Sequence, residues 1–127
     1  YTKTTRGKTF VVVDAGLNDM IRPALYGAIH PITPALRHAS VGAQHAAPLL
    51  ADIVGPVCET GDSFLQDWPL GEVNSGDLLV LWGAGAYGFV ATSNYNSRRR
   101  PAEVLVERDR FRIIRPRETY ADLVRNE

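Results

Sequence analysis

A mainly β domain, a sandwich or barrel of short strands with peripheral helices, is the fold that this 127-residue sequence predicts. Three observations predict it. Short β-branched runs recur along the chain, each bounded by Gly, Pro, Asn or Asp. Helical periodicity is confined to two short segments, one near the N-terminal third and one at the C-terminus. The length suits one packed core and leaves little room for a catalytic barrel or a two-domain cleft, so residues 1–127 are read as a single domain.

Each element follows from local signals. Residues 1–15 alternate polar and β-branched side chains around Arg6-Gly7 and then run Phe10-Val11-Val12-Val13, the pattern of a hairpin feeding a buried strand that ends at Gly16. Apolar residues at 17, 21, 25 and 28, with Pro23 near the start, predict a helix over 17–28, which would put Arg22 and Tyr26 four apart on one face. A weak strand is read at 35–41, followed by a loop. Residues 49–57 read as a strand ending at Gly55-Pro56, which hands the chain to the polar turn Cys58-Glu59-Thr60-Gly61-Asp62. The run Leu78-Leu79-Val80-Leu81-Trp82 has the composition of a fully buried strand. Residues 102–107 and 111–115 form two strands around Arg108-Asp109-Arg110, and Thr119 caps a closing helix over 120–125.

Composition narrows the function. Fourteen Lys+Arg balance 14 Asp+Glu, so no basic field favours nucleic acid or an anionic membrane as partner. The most apolar stretch, 78–91, is shorter than the roughly 18 apolar residues of a spanning helix and is interrupted by Gly83, Gly85 and Gly88. A lone cysteine, Cys58, forms no internal disulfide, and no signal peptide is evident, which makes a reducing cytoplasm the expected compartment. The only methionine is Met20 and the chain opens at Tyr1 within a strand pattern, so it is expected to be part of something longer. Lys3 and Lys8 are its only lysines.

No single candidate site decides the chemistry. His30, His38 and His45 are spaced too widely for a helical ligand pair, and Cys58 has no second thiol beside it, so structural histidines and no metal are expected. Cys58 in its turn is a candidate nucleophile, but a lone cysteine is more often a small buried apolar residue. The segment Gly83-Ala84-Gly85-Ala86-Tyr87-Gly88 lacks the spacing of standard phosphate loops, and a tight bend explains it equally well. Arg98-Arg99-Arg100 beside Tyr95 reads as a solvated basic turn rather than an RNA grip. Arg22 with Tyr26 has the groups to bind a carboxylate, or Arg22 simply snorkels over a helix.

Taken in order, however, Val13-Asp14-Ala15-Gly16-Leu17-Asn18-Asp19-Met20-Ile21-Arg22-Pro23-Ala24-Leu25-Tyr26, then Gly55-Pro56-Val57-Cys58-Glu59-Thr60-Gly61-Asp62, then Gly85-Ala86-Tyr87-Gly88, then Ser93-Asn94-Tyr95-Asn96-Ser97-Arg98 and Pro101-Ala102-Glu103-Val104 resemble the C-terminal domain of the diaminopimelate decarboxylases. The resemblance covers nearly the whole chain. It implies a β domain appended to a (β/α)8 barrel, absent here, that carries pyridoxal 5'-phosphate on its Schiff-base lysine, in a homodimer with active sites shared between subunits. It implies conversion of meso-2,6-diaminopimelate to L-lysine and carbon dioxide, with this domain selecting the substrate and forming the dimer.

By the same resemblance, Arg22 and Tyr26 bind a substrate carboxylate. Cys58 and Glu59 reach across the dimer into the partner's site, Cys58 near the reacting carbon as proton donor or gatekeeper and Glu59 toward the distal amino group, and Tyr87 meets the cofactor phosphate. Ornithine-type relatives carry Asp after the cysteine, so Glu59 favours a substrate with a second amino-acid head. The triple arginine at 98–100 and the 31–48 segment depart from the family's usual pattern without touching those residues. The barrel and its lysine are missing, so this polypeptide alone is expected to be inactive. Two other readings remain open: a related ornithine or carboxynorspermidine decarboxylase, separable by a substrate panel, and a catalytically silent paralogue acting in protein association, which has no chemical reason to keep all five residues.

Overall fold

The parallel pairing of two strands about 40 residues apart organises the first part of the chain. The computed structural model describes residues 1–36 and 50–127. In them lie strands β1 (Thr2–Thr5), β2 (Lys8–Val12), β3 (Ile32–Pro34), β4 (Leu50–Val54), β5 (Ser63–Pro69), β6 (Leu79–Leu81), β7 (Glu103–Glu107) and β8 (Arg110–Arg115), with helices α1 (Arg22–Tyr26) and α2 (Tyr120–Leu123). The molecule is therefore mainly β, as the strand-rich pattern predicts. The chain divides into two compact units, Tyr1–Leu17 with Arg22–Gly83, and Asn18–Ile21 with Ala84–Glu127. None of the helices among the described residues is long and apolar enough to cross a membrane.

In the first unit a four-stranded sheet runs in the order β1-β2-β4-β5, and β3 pairs with β6 in a separate ribbon. β1 and β2 form the expected hairpin, turning at Arg6 (φ 49°) and Gly7 (φ 76°), the two positive angles a two-residue turn requires to match strand twist. β2 runs parallel to β4, and β4 antiparallel to β5. As a central strand β4 is covered on both faces: Ala51, Asp52 and Ile53 are all buried. A buried carboxylate there needs partners, and Asp52 has them. The Lys8 ammonium lies 2.7 Å from Oδ2, and the Asp67 amide, on a backbone twisted to φ 48°, donates to Oδ1 at 2.9 Å.

Burial pushes the Asp52 carboxyl up, but the Lys8 hydrogen bond, the Asp67 amide and the Lys8 charge outweigh it and hold the group below its ordinary value of 3.8. The Lys8 ammonium is raised in turn, chiefly by its hydrogen bond to Asp52. A carboxyl depressed in the folded state contributes stability that is present above its unfolded pKa and lost as pH falls through the folded one. Thermal melts are therefore expected to weaken below about pH 4, and Asp52→Asn to lower the Tm at pH 7 by about 5 °C with a flatter acid limb. An acid limb unchanged in the variant would remove this pair from the account.

Several expectations need correction. The helix read over 17–28 is only α1, five residues long. Pro23 has no amide to donate and is tolerated only in the first turn, so the helix begins beside it rather than at Leu17. Gly27, at φ 62°, ends the helix and donates its N–H to the Pro23 carbonyl at 3.0 Å, a left-handed C-terminal cap. Of the strand read at 35–41, residues 35–36 follow β3 and are not in a strand, and residues 37–41 lie outside the described residues. The 78–82 run is not fully buried: β6 is half-buried, and Leu78 and Trp82 are exposed, where among the described residues β6 pairs only with β3.

The second unit is held by polar anchors. β7 and β8 form the expected hairpin, with Arg108 at φ 58° in the turn and Arg115 donating from Nε to Glu103 at 2.6 Å. Thr119 and Asp122 make a reciprocal capping box at α2, the local signal that made its start legible. Glu118 accepts from the Arg100 amide at 2.8 Å and from Asn94 Nδ2 at 2.6 Å, and the Arg100 amide is the main reason its carboxyl lies below the usual range. The 98–100 arginines are thus not a solvated turn. Arg98 pairs with Asp19 at 3.6 Å, Arg100 with Glu118 at 3.9 Å, and Arg99 stacks 4.5 Å above the Tyr120 ring.

Candidate functional site

The strongest chemical grouping grows out of β4. Where that strand ends, Gly55 and Pro56 divert the chain into a turn that exposes Cys58 and Glu59. The exposure overturns the reading of Cys58 as a buried apolar residue. The turn is closed by its own backbone: the Glu59 amide donates to the Val57 carbonyl at 2.8 Å, Asp62 N–H to the Glu59 carbonyl at 3.1 Å, and Gly55 N–H to the Asp62 carbonyl at 2.9 Å.

Against this turn packs α1. A Cβ built on Gly61 would lie 3.8 Å from the Cβ of Ala24, an ordinary van der Waals contact, so the helix and the turn are neighbours within one unit. α1 carries Arg22, half-buried, at its first position and Tyr26, 71% exposed, at its last. Four residues apart on a helix, they share one face. The structure thus places the helix that carries Arg22 and Tyr26 next to the turn that carries Cys58 and Glu59, with Ala24, on the other face of the helix from Arg22 and Tyr26, making the contact.

Tyr87, 61% exposed, belongs to the second unit, in the bend of 84–88. Gly88 is required there, since a Cβ at that position would collide with the Ala84 carbonyl oxygen. At Gly85 a Cβ would meet nothing within 4 Å, which leaves the backbone open beside the exposed phenol.

Other candidates take structural roles. His30 is buried, its Nδ1 3.0 Å from the Trp82 carbonyl, which fits the structural reading. His38 and His45 lie outside the described residues. Among the described residues no three His, Cys, Asp or Glu side chains converge as metal ligands. An apolar groove in the first unit, lined among others by Val11, Ile32, Phe64 and Leu79, contains none of the site residues. Asp62 was legible only as part of its motif. The role its carboxylate plays, described below, has no local sequence signal.

Residues 1–85 match the family model described as "Pyridoxal-dependent decarboxylase, C-terminal sheet domain". The chain is 46% identical over 124 residues to the diaminopimelate decarboxylase of Aquifex aeolicus, covering 98% of this chain and 28% of that protein. It is 47% identical over 127 residues to the diaminopimelate decarboxylase of Neisseria meningitidis, covering 100% of this chain and 30% of the relative. Among solved structures, diaminopimelate decarboxylase from Helicobacter pylori complexed with L-lysine superposes with a TM-score of 0.84 at 43% identity, over 98% of this chain and 29% of that one. The chain therefore belongs to the C-terminal sheet domain family of the pyridoxal-dependent decarboxylases. It spans under a third of the length of the curated relatives it matches.

Proposed function

We propose that residues 1–127 form the C-terminal, substrate-selecting and dimer-forming domain of a cytoplasmic diaminopimelate decarboxylase that converts meso-2,6-diaminopimelate to L-lysine and carbon dioxide. The observation that carries the reading is that Cys58 and Glu59 stand exposed in the turn that follows β4, with Tyr26 exposed on α1 in the same unit. The identity to diaminopimelate decarboxylases over essentially the whole chain supports it.

Pyridoxal 5'-phosphate, when bound, supplies the electron sink for the charge released as carbon dioxide departs. The residues here fit contact with its phosphate and not its attachment. Tyr87 is an exposed residue beside open backbone at Gly85, whereas Lys8 is engaged by Asp52 and Lys3 sits on the edge strand β1. In this reading the cofactor's lysine belongs to a barrel elsewhere in the full-length protein.

Each side chain of this domain has one task. The Arg22 guanidinium and Tyr26 hydroxyl hold the distal carboxylate, and the Glu59 carboxylate, reaching with Cys58 into the partner's site, reads the distal ammonium there, so the far end of the substrate is selected without touching the breaking bond. The Cys58 Sγ, presented to the partner's site in a homodimer, holds the proton delivered after carbon dioxide leaves. Exposure of Cys58, Glu59 and Tyr26 in a single copy is what a shared site requires.

The test is a substrate panel on the full-length protein, following carbon dioxide release. Diaminopimelate is expected to exceed L-ornithine and carboxynorspermidine by at least about 100-fold in kcat/KM. Arg22→Ala should raise the KM for diaminopimelate by about 10- to 100-fold, the loss of a hydrogen bond to a charged group. Preference for ornithine, or an Arg22→Ala enzyme with unaltered KM, would reverse the assignment.

A further inference from the structure

We propose that Asp62 is the positioning residue of the substrate-reading turn: its buried carboxylate sets where Cys58 and Glu59 stand. The inference rests on the roles proposed above for those two residues. Asp62 is 4% exposed, and each of its oxygens is committed to a backbone amide. Oδ2 accepts from Val57 N–H at 2.6 Å, immediately before Cys58, and Oδ1 accepts from Leu17 N–H at 2.6 Å, five residues before Arg22. Bonds this short from amides to a carboxylate are charge-assisted and directional.

The backbone of Asp62 completes the lock. Its N–H reaches the Glu59 carbonyl and its carbonyl receives the Gly55 N–H, so the residues on both sides of the thiol are tied to one side chain and its own peptide. Gly55 is part of the same device, because a Cβ there would run into the Asp62 carboxylate. One carboxylate thereby joins the turn that carries Cys58 and Glu59 to the segment that leads into α1. With both oxygens occupied by the backbone, Asp62 acts through its neighbours and not on the substrate.

In the full-length enzyme, Asp62→Asn replaces one acceptor oxygen by an amide that cannot receive an N–H, with no change in shape. Gly55→Ala displaces the carboxylate and keeps its charge. Either variant is expected to raise the KM for diaminopimelate at least threefold through Glu59 and to lower kcat through Cys58. A merely structural role would reduce the folded fraction and hence apparent kcat, leaving KM where it was. A KM within threefold of wild type in both variants overturns the proposal, as does failure of both to yield soluble enzyme, which would make Asp62 a folding determinant alone. Glu59→Ala and Cys58→Ala run in parallel separate the two layers. If those leave KM and kcat at wild-type values, the proposed function of the turn has failed, whatever Asp62 does.

Discussion

Cys58→Ala in the full-length decarboxylase is expected to lower kcat by about 10²- to 10⁴-fold, the range for removing a positioned proton donor. Stability should hardly change, since the thiol is exposed and its deletion opens no cavity. The same exposure makes the effect divisible between subunits. In a two-fold dimer with shared sites, one subunit's turn completes the other subunit's cofactor site. A Cys58→Ala subunit therefore retains a working barrel, and a subunit mutated at the barrel's cofactor lysine retains a working turn. Each homodimer is inactive, but a heterodimer assembles one intact site of two. Random reassortment of equal amounts makes half the dimers hybrid and should recover about a quarter of wild-type activity. Recovery that depends on mixing and follows the heterodimer fraction is the measurement. Activity that stays at the homodimer level would place each site within a single subunit and remove the functional reason for the exposed turn.

What the sequence makes legible is local. The β1-β2 hairpin announces itself through Arg6-Gly7, the β7-β8 hairpin through its flanking strands, and α2 through Thr119, because each signal lies within a few residues of its consequence. β5 goes unread for a physical reason: its register against β4 shifts twice, Phe64 and Leu65 are buried in succession, and Asp67 takes a positive φ, so no period of two survives. The burial of the 78–82 run is misjudged because the partners that cover a strand come from distant sequence. The site divides along the same line. Arg22, Tyr26, Cys58, Glu59 and Tyr87 stand out by a family resemblance, while the contact of α1 with the turn, the Asp62 carboxylate on Leu17 and Val57, and the anchoring of all three arginines at 98–100 depend on long-range geometry.

Ile53→Ala should be the most costly single truncation among the residues named here. Ile53 is wholly inaccessible, on the inner strand β4, opposite Val11 of β2 on one side and Leu65 of β5 on the other. Removing three carbons from a site walled by two paired strands leaves a cavity that the sheet cannot close without breaking its ladders, and such changes cost about 2–5 kcal/mol. Against the roughly 5–15 kcal/mol that stabilises a domain, that is a large fraction. The expected result is a Tm lowered by about 10 °C or more, with the denaturant midpoint shifted and its slope unchanged. Ile53→Val, which deletes one methyl group and keeps the branched strand former, should cost only about 0.5–1.5 kcal/mol. The pair of variants also probes the site, because β4 ends at Val54, immediately before Gly55 and the turn. If β4 is the rigid base of that turn, Ile53→Ala should raise the KM for diaminopimelate even at temperatures where the enzyme is fully folded, and Ile53→Val should not. Equal KM values in the two variants would show that the backbone lock around Asp62 holds the turn without help from the core beneath it.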